Sequence, residues 1–240
     1  MRARDRLIVA LDGDWTLDVL ASVAQTFAGE AGMAKLGKRN FTRHGPEAAR
    51  RLQALGLPVF LDLKYHDIPN TVAEASQQAA ALGVRMFTVH AAGGRKMLAA
   101  TRVALDAWSQ KSGQPAPKAV AVTVLTSLAD ADLAETGVQG TTAEQVKRLA
   151  ALAQAAGMDG VVASAKEVAL IRRTCGSDFI VVTPGIRPAF EAAADDQARV
   201  MTPREAVRAG ADYLVVGRPV LRAADPAQAA RAIAAEIEGP

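Results

Sequence analysis

Eight short runs rich in valine, isoleucine and leucine alternate with longer alanine-rich stretches along the whole chain. The runs are Leu7–Leu11, Met33–Leu36, Val59–Leu63, Met86–Val89, Ala119–Leu125, Gly160–Ala163, Phe179–Thr183 and Tyr213–Val216. Helical patterns lie between and after them, near 17–29, 45–55, 70–82, 94–110, 142–156, 165–173, 203–209 and 226–237. Such alternation implies parallel strands joined by right-handed crossovers. Eight such units in 240 residues match the size of a closed (β/α)8 TIM barrel, read as a single domain over 1–240. A doubly wound open sheet is the structural competitor, but it needs fewer strands and a glycine-rich turn after the first. Here the first strand ends Leu11-Asp12-Gly13-Asp14-Trp15, which is not that fingerprint.

Composition narrows the class of ligand. Half the residues are hydrophobic but only 4% are aromatic, which predicts an aliphatic, alanine-rich core. The 28 basic and 25 acidic residues leave a net charge of +3, with no basic block to track a polynucleotide. A small anion needing a few local cations fits better than a nucleic acid. One cysteine, Cys175, allows neither an internal disulfide nor a multi-cysteine metal site, and is expected in a helix-to-strand loop. Five apolar residues stopped by Asp12 are too few for a signal-peptide core, and no run reaches the roughly 18 apolar residues of a membrane span. A cytoplasmic location is expected.

In a barrel of this kind the site forms at the C-terminal ends of the strands. The expected strands end in Asp12, in Lys35 leading to Gly37, in Asp62 and Lys64, in His90, in Thr126-Ser127, in Ser164, in Thr183-Pro184-Gly185-Ile186-Arg187 and in Gly217-Arg218-Pro219. The segment Asp62-Leu63-Lys64-Tyr65-His66-Asp67 sets one ammonium between two carboxylates. Residues two apart in a strand share a face, so Asp62 and Lys64 are expected to project together. An exposed surface ion pair is the plainer reading of that cluster. The last two strand ends suggest a phosphate site: Gly185 and Gly217 for close backbone approach, Arg187 and Arg218 as forked donors, and Pro219 opening a short helix.

These residues carry a resemblance. Leu7-Ile8-Val9-Ala10-Leu11-Asp12, Lys35-Leu36-Gly37, the run DLKYHDIPNT at 62–71, LTS at 125–127, TPGIRP at 183–188, DDQ at 195–197 and VGRP at 216–219 occur in this order. Together they resemble the orotidine 5'-monophosphate decarboxylase family over nearly the whole chain. Charged Lys38-Arg39-Asn40 departs from the pattern, as a continuation of the second strand with no catalytic role.

The resemblance implies roles. Lys64 would protonate carbon 6 of the pyrimidine, and Asp62 would sit against the substrate carboxylate. Lys35 and Asp12 would hold ribose hydroxyls and join Lys64 in a charged network. Asp67 and Thr71, with Ile68 between them, would complete the site of the other subunit in a homodimer. Thr126 and Ser127 would contact the pyrimidine. Gln197, Gly217 and Arg218 would bind the phosphate, with Pro184 and Arg187 beside them, and the loop 188–196 would close over it. The family uses neither metal nor cofactor. Two rivals stand beside it: a magnesium-dependent sugar-phosphate decarboxylase or aldolase of the same barrel superfamily, and a non-catalytic nucleotide-binding barrel.

Overall fold

The computed structural model describes residues 1–192 and 201–239. Its eight strands are β1 (Leu7–Leu11), β2 (Met33–Gly37), β3 (Val59–Tyr65), β4 (Met86–His90), β5 (Lys118–Val122), β6 (Gly160–Val162), β7 (Ile180–Pro184) and β8 (Tyr213–Val216). They follow one another in chain order around a closed barrel. β1 pairs in parallel with β2 and with β8, and β2 with β3. β4 pairs in parallel with β5, β5 with β6 and β6 with β7.

The chain forms two compact units, one of Met1–Leu63 with Thr183–Pro240, the other of Lys64–Val182. In the first unit Leu7, Ile8, Val9 and Leu11 are fully buried, as a strand covered on both faces requires. In the second unit Phe87, Val89, Ala119, Val120, Ala121 and Val161 are likewise inaccessible. The core is mainly aliphatic, yet Phe27, Phe60 and Phe87 are among its largest fully buried side chains. Low aromatic content therefore does not keep phenylalanine out of the centre.

Helices start where the sequence offers caps. Thr141 accepts from Glu144 N–H, and Glu144 returns the bond to Thr141 N–H at 2.7 Å. Thr202 and Glu205 make the same reciprocal box before Pro203–Ala209. Each box satisfies donors that the first turn would leave bare.

Several boundaries differ from the sequence reading, among them these three. β2 stops at Gly37, and Lys38–His44 is a helix rather than a continuation of the strand. β5 ends at Val122 instead of Leu125, whose side chain is exposed; a turn closed by Leu128 N–H on Leu125 C=O follows. Cys175 is not in the loop but is the last residue of the helix Val168–Cys175, and burial raises its thiol pKa. Among the described residues no helix is long and apolar enough to cross a membrane.

Candidate active site

In the first unit, three successive strands bring three charges together. Lys35, on β2, places its ammonium 2.9 Å from an Asp12 oxygen and 3.5 Å from an Asp62 oxygen. The parallel register makes this unavoidable. Ala10 of β1 pairs with Lys35, and Gly37 of β2 pairs with Asp62 of β3, so the carboxylates flank the amine from both sides. Lys35 and Asp62 are buried, at 9% exposure each. Buried charge is tolerated when paired, and removing one partner strands the rest. The Asp12 side chain is different, 63% exposed, with oxygen surface left for a ligand.

Two residues to which the sequence reading gave no role in the site hold this cluster in place. Asn40, on the helix Lys38–His44, is 1% exposed. Its amide nitrogen donates to Leu11 C=O at 2.9 Å and Gly13 C=O at 3.1 Å, the carbonyls on either side of Asp12. Gly37 is the second. A Cβ built there would lie 2.9 Å from the Asp12 oxygen and 3.2 Å from the Lys35 nitrogen. Its φ is −89°, so what glycine gives there is space and not backbone freedom. A polar residue on a buried helix face was the only sequence sign of Asn40, and it was masked by the charged neighbours Lys38 and Arg39.

The phosphate candidates of this unit are mixed. Arg218 is exposed and begins the short helix Arg218–Leu221, with Pro219 in its first turn as expected. Gly217 has φ −114° and would accept a Cβ at ordinary contact with Ala10, 3.6 Å, so among the described residues no neighbour requires glycine there. Gly185 does need it, with φ 77°. Arg187 leans toward Glu191 at 3.9 Å, and its N–H donates to Met201 C=O. Pro184 ends β7 and is half-buried. Gln197 and most of the loop 188–196 lie outside the described residues; Ala189–Ala192 is a short helix whose Ala189 N–H donates to Glu236.

The second unit begins at Lys64, near the end of β3. Asp62 and Lys64 share the strand, but the backbone leaves the extended region at Lys64. Lys64 has φ 56°, the one positive value among described non-glycine residues. Lys64 N–H donates to the Thr88 hydroxyl on β4 at 2.8 Å. His66 and His90 rings lie 5.5 Å apart, and a Cβ on Gly93 would press His66 at 3.3 Å and Met97 more closely. His90 is thus packed beside another imidazole, as a wall residue would be.

Asp67, Ile68 and Thr71 stand exposed around the start of the helix Pro69–Ala81. Asp67 accepts from Ile68 N–H at 2.6 Å, and Ile68 is 67% exposed. Thr126 and Ser127 lie in the exposed turn after β5. Among the described residues no three His, Cys, Asp or Glu side chains are grouped so as to hold a metal ion.

Comparison with known proteins places this geometry. Residues 5–233 match the sequence profile of the orotidine 5'-phosphate decarboxylase / HUMPS family. The chain is 54% identical over 235 residues to the orotidine 5'-phosphate decarboxylase of Geotalea daltonii, covering 98% of this chain and 97% of the relative. It is 52% identical over 232 residues to that of Saccharophagus degradans, covering 97% and 94%. Among solved structures, the orotidine 5'-phosphate decarboxylase of Lactobacillus acidophilus is similar with a TM-score of 0.85 at 38% identity, over 97% of this chain and 99% of that one.

Proposed function

Given that the chain belongs to the orotidine 5'-phosphate decarboxylase / HUMPS family, we propose that it converts orotidine 5'-monophosphate to uridine 5'-monophosphate, without metal or cofactor. The observation that carries this reading is the Lys35 ammonium held between Asp12 and Asp62 at the ends of three successive strands. The exposed Asp12 carboxylate is an acceptor for vicinal ribose hydroxyls, and Lys35 is a donor to them. Buried Asp62 sits two residues before Lys64 on the same strand.

Decarboxylation leaves an electron pair on carbon 6 of the pyrimidine. The Lys64 ammonium favours negative charge developing there and then delivers its proton. Asp62 near the substrate carboxylate disfavours the charged ground state, and loss of carbon dioxide relieves that repulsion. One lysine cannot supply the roughly 8–23 kcal/mol by which enzymes lower their barriers. The phosphate grip contributes the rest through orientation and closure, by Gln197, Gly217 and Arg218 with Pro184 and Arg187. Thr126 and Ser127 contact the pyrimidine.

The protein acts as a homodimer in the cytoplasm, each chain serving as one catalytic domain. Asp67, Ile68 and Thr71 of one chain complete the site of the other.

Incubation with orotidine 5'-monophosphate in excess chelator, followed by ultraviolet absorbance, tests the proposal. Turnover is expected, and Lys64→Ala is expected to abolish it while nucleotide binding persists. A folded dimer with no turnover would sink the assignment. Activity that needs added magnesium would point instead to the metal-dependent branch of the superfamily.

A further inference from the structure

Lys64 sits where an L-residue is strained. At φ 56° its Cβ crowds the following carbonyl, and lysine lacks the short polar side chain with which asparagine or aspartate eases that conformation. Residues held this way persist only when their surroundings over-determine them.

Two consecutive residues of β4 form part of those surroundings. Thr88 accepts the Lys64 N–H at 2.8 Å and is fully buried. Its branched Cβ stiffens the rotamer. Its backbone is in register with Val120 of β5, so the hydroxyl is fixed to a barrel wall. Phe87, the residue before it, is also fully buried and meets the Tyr65 ring at 6.1 Å with a 50° tilt. Thr88 therefore grips the lysine by its N–H while Phe87 grips the next residue by its ring.

We infer that Thr88 is a positioning residue for the reaction: its hydroxyl holds Lys64 in the left-handed conformation and so aims the ammonium. This rests on Lys64 being the proton donor. Thr88 touches no substrate; it acts through the backbone of its neighbour.

Steady-state kinetics of Thr88→Val and Thr88→Ser test it. Valine keeps the shape and removes the acceptor. Its kcat is expected to fall about 10–100-fold, the scale on which small misplacements of reacting groups act, with KM little changed. Serine keeps the hydroxyl and is expected to recover most of the lost rate. Equal losses in both variants, or a valine variant with parental kcat, would overturn the inference. So would a rise in KM at unchanged kcat. If Thr88→Val does not fold, Thr88→Cys carries the same comparison, being similar in size and only a weak acceptor. A stability readout adds a second arm. Thr88→Val is expected to lower Tm more in a Lys64→Gly background, because lysine released from the bond sheds strain by leaving positive φ, whereas glycine has no such strain to shed. Equal losses in both backgrounds would show that the hydroxyl serves the fold and not the lysine. Failure of the underlying reading looks different: Lys64→Ala would itself retain turnover.

Discussion

The Cα of Gly37 faces the Lys35 ammonium so closely that a methyl group on it would lie 3.2 Å from the nitrogen. It would also lie 2.9 Å from the Asp12 oxygen that the ammonium binds. Gly37→Ala is therefore expected to part Asp12 from Lys35. The exposed Asp12 can swing outward, so stability should fall by less than the ~1–3 kcal/mol usual for overpacking. Activity should suffer more, by about tenfold in kcat/KM, the equivalent of one lost hydrogen bond to a charged group. Parental kcat/KM in this variant would remove Asp12–Lys35 spacing from the mechanism.

Lys64 gives stability and activity opposite signs. Lys64→Gly and Lys64→Ala should both be inactive. The glycine variant should be the more stable, by about 1 kcal/mol, because alanine keeps the left-handed strain and glycine does not. Paired thermal melts decide this. An alanine variant that melts at or above the glycine variant would mean that φ 56° carries no strain.

Asn40 is expected to matter although it touches no charge. Asn40→Ala leaves Leu11 C=O and Gly13 C=O without their amide donor and opens a small void. A loss of about 1–3 kcal/mol is expected in chemical denaturation. The loop carrying Asp12 should loosen with it, raising KM for the nucleotide more than it lowers kcat. An Asn40→Ala protein with parental KM would confine the residue to a structural role.

Glu167 supplies a pH dependence. Burial raises its carboxyl above the ordinary 4.5, against the lowering effects of Ser164 N–H and Lys166. Below that ordinary value the group is protonated in folded and unfolded chains alike. As pH rises, the unfolded chain ionises first and the folded chain resists, so stability is lost until the folded carboxyl also ionises. Glu167→Gln can still accept from Ser164 N–H, which Glu167 binds at 2.9 Å. It should flatten the fall in Tm that begins as pH rises through the ordinary carboxylate value. An unchanged slope would assign that pH dependence to other groups.

The barrel was legible because its signal is periodic. Eight apolar runs separated by alanine-rich helices leave little choice of architecture, and the observed strands fall on those runs. The charged strand ends were legible for the same reason, since a barrel gathers such ends at one face. Less legible were features set by single atoms. Nothing in Lys38-Arg39-Asn40 announces a helix that buries only the amide, because its apolar stripe is short. Gly37 was named only as part of a strand end, and the space it leaves for two neighbouring charges is set by single atoms. Thr88 hides as one hydroxyl in the strand Met86–His90. The left-handed backbone at Lys64 was not legible either, because strand alternation presumes extended dihedrals and its own φ is not extended.

The Lys35 cluster has a wet end and a dry end. Asp12 stands 63% exposed on one side of the ammonium, and the Asp62 side chain 12% exposed on the other. Dissolved ions reach only the first. Near 1 M salt the screening length shrinks to about 3 Å, comparable with the Lys35–Asp12 separation, while the low-dielectric side is largely spared. Ionic strength thus becomes a way to address one half of a three-charge network without mutation. It loosens the arm that meets the solvent and leaves untouched the arm fixed against the barrel wall.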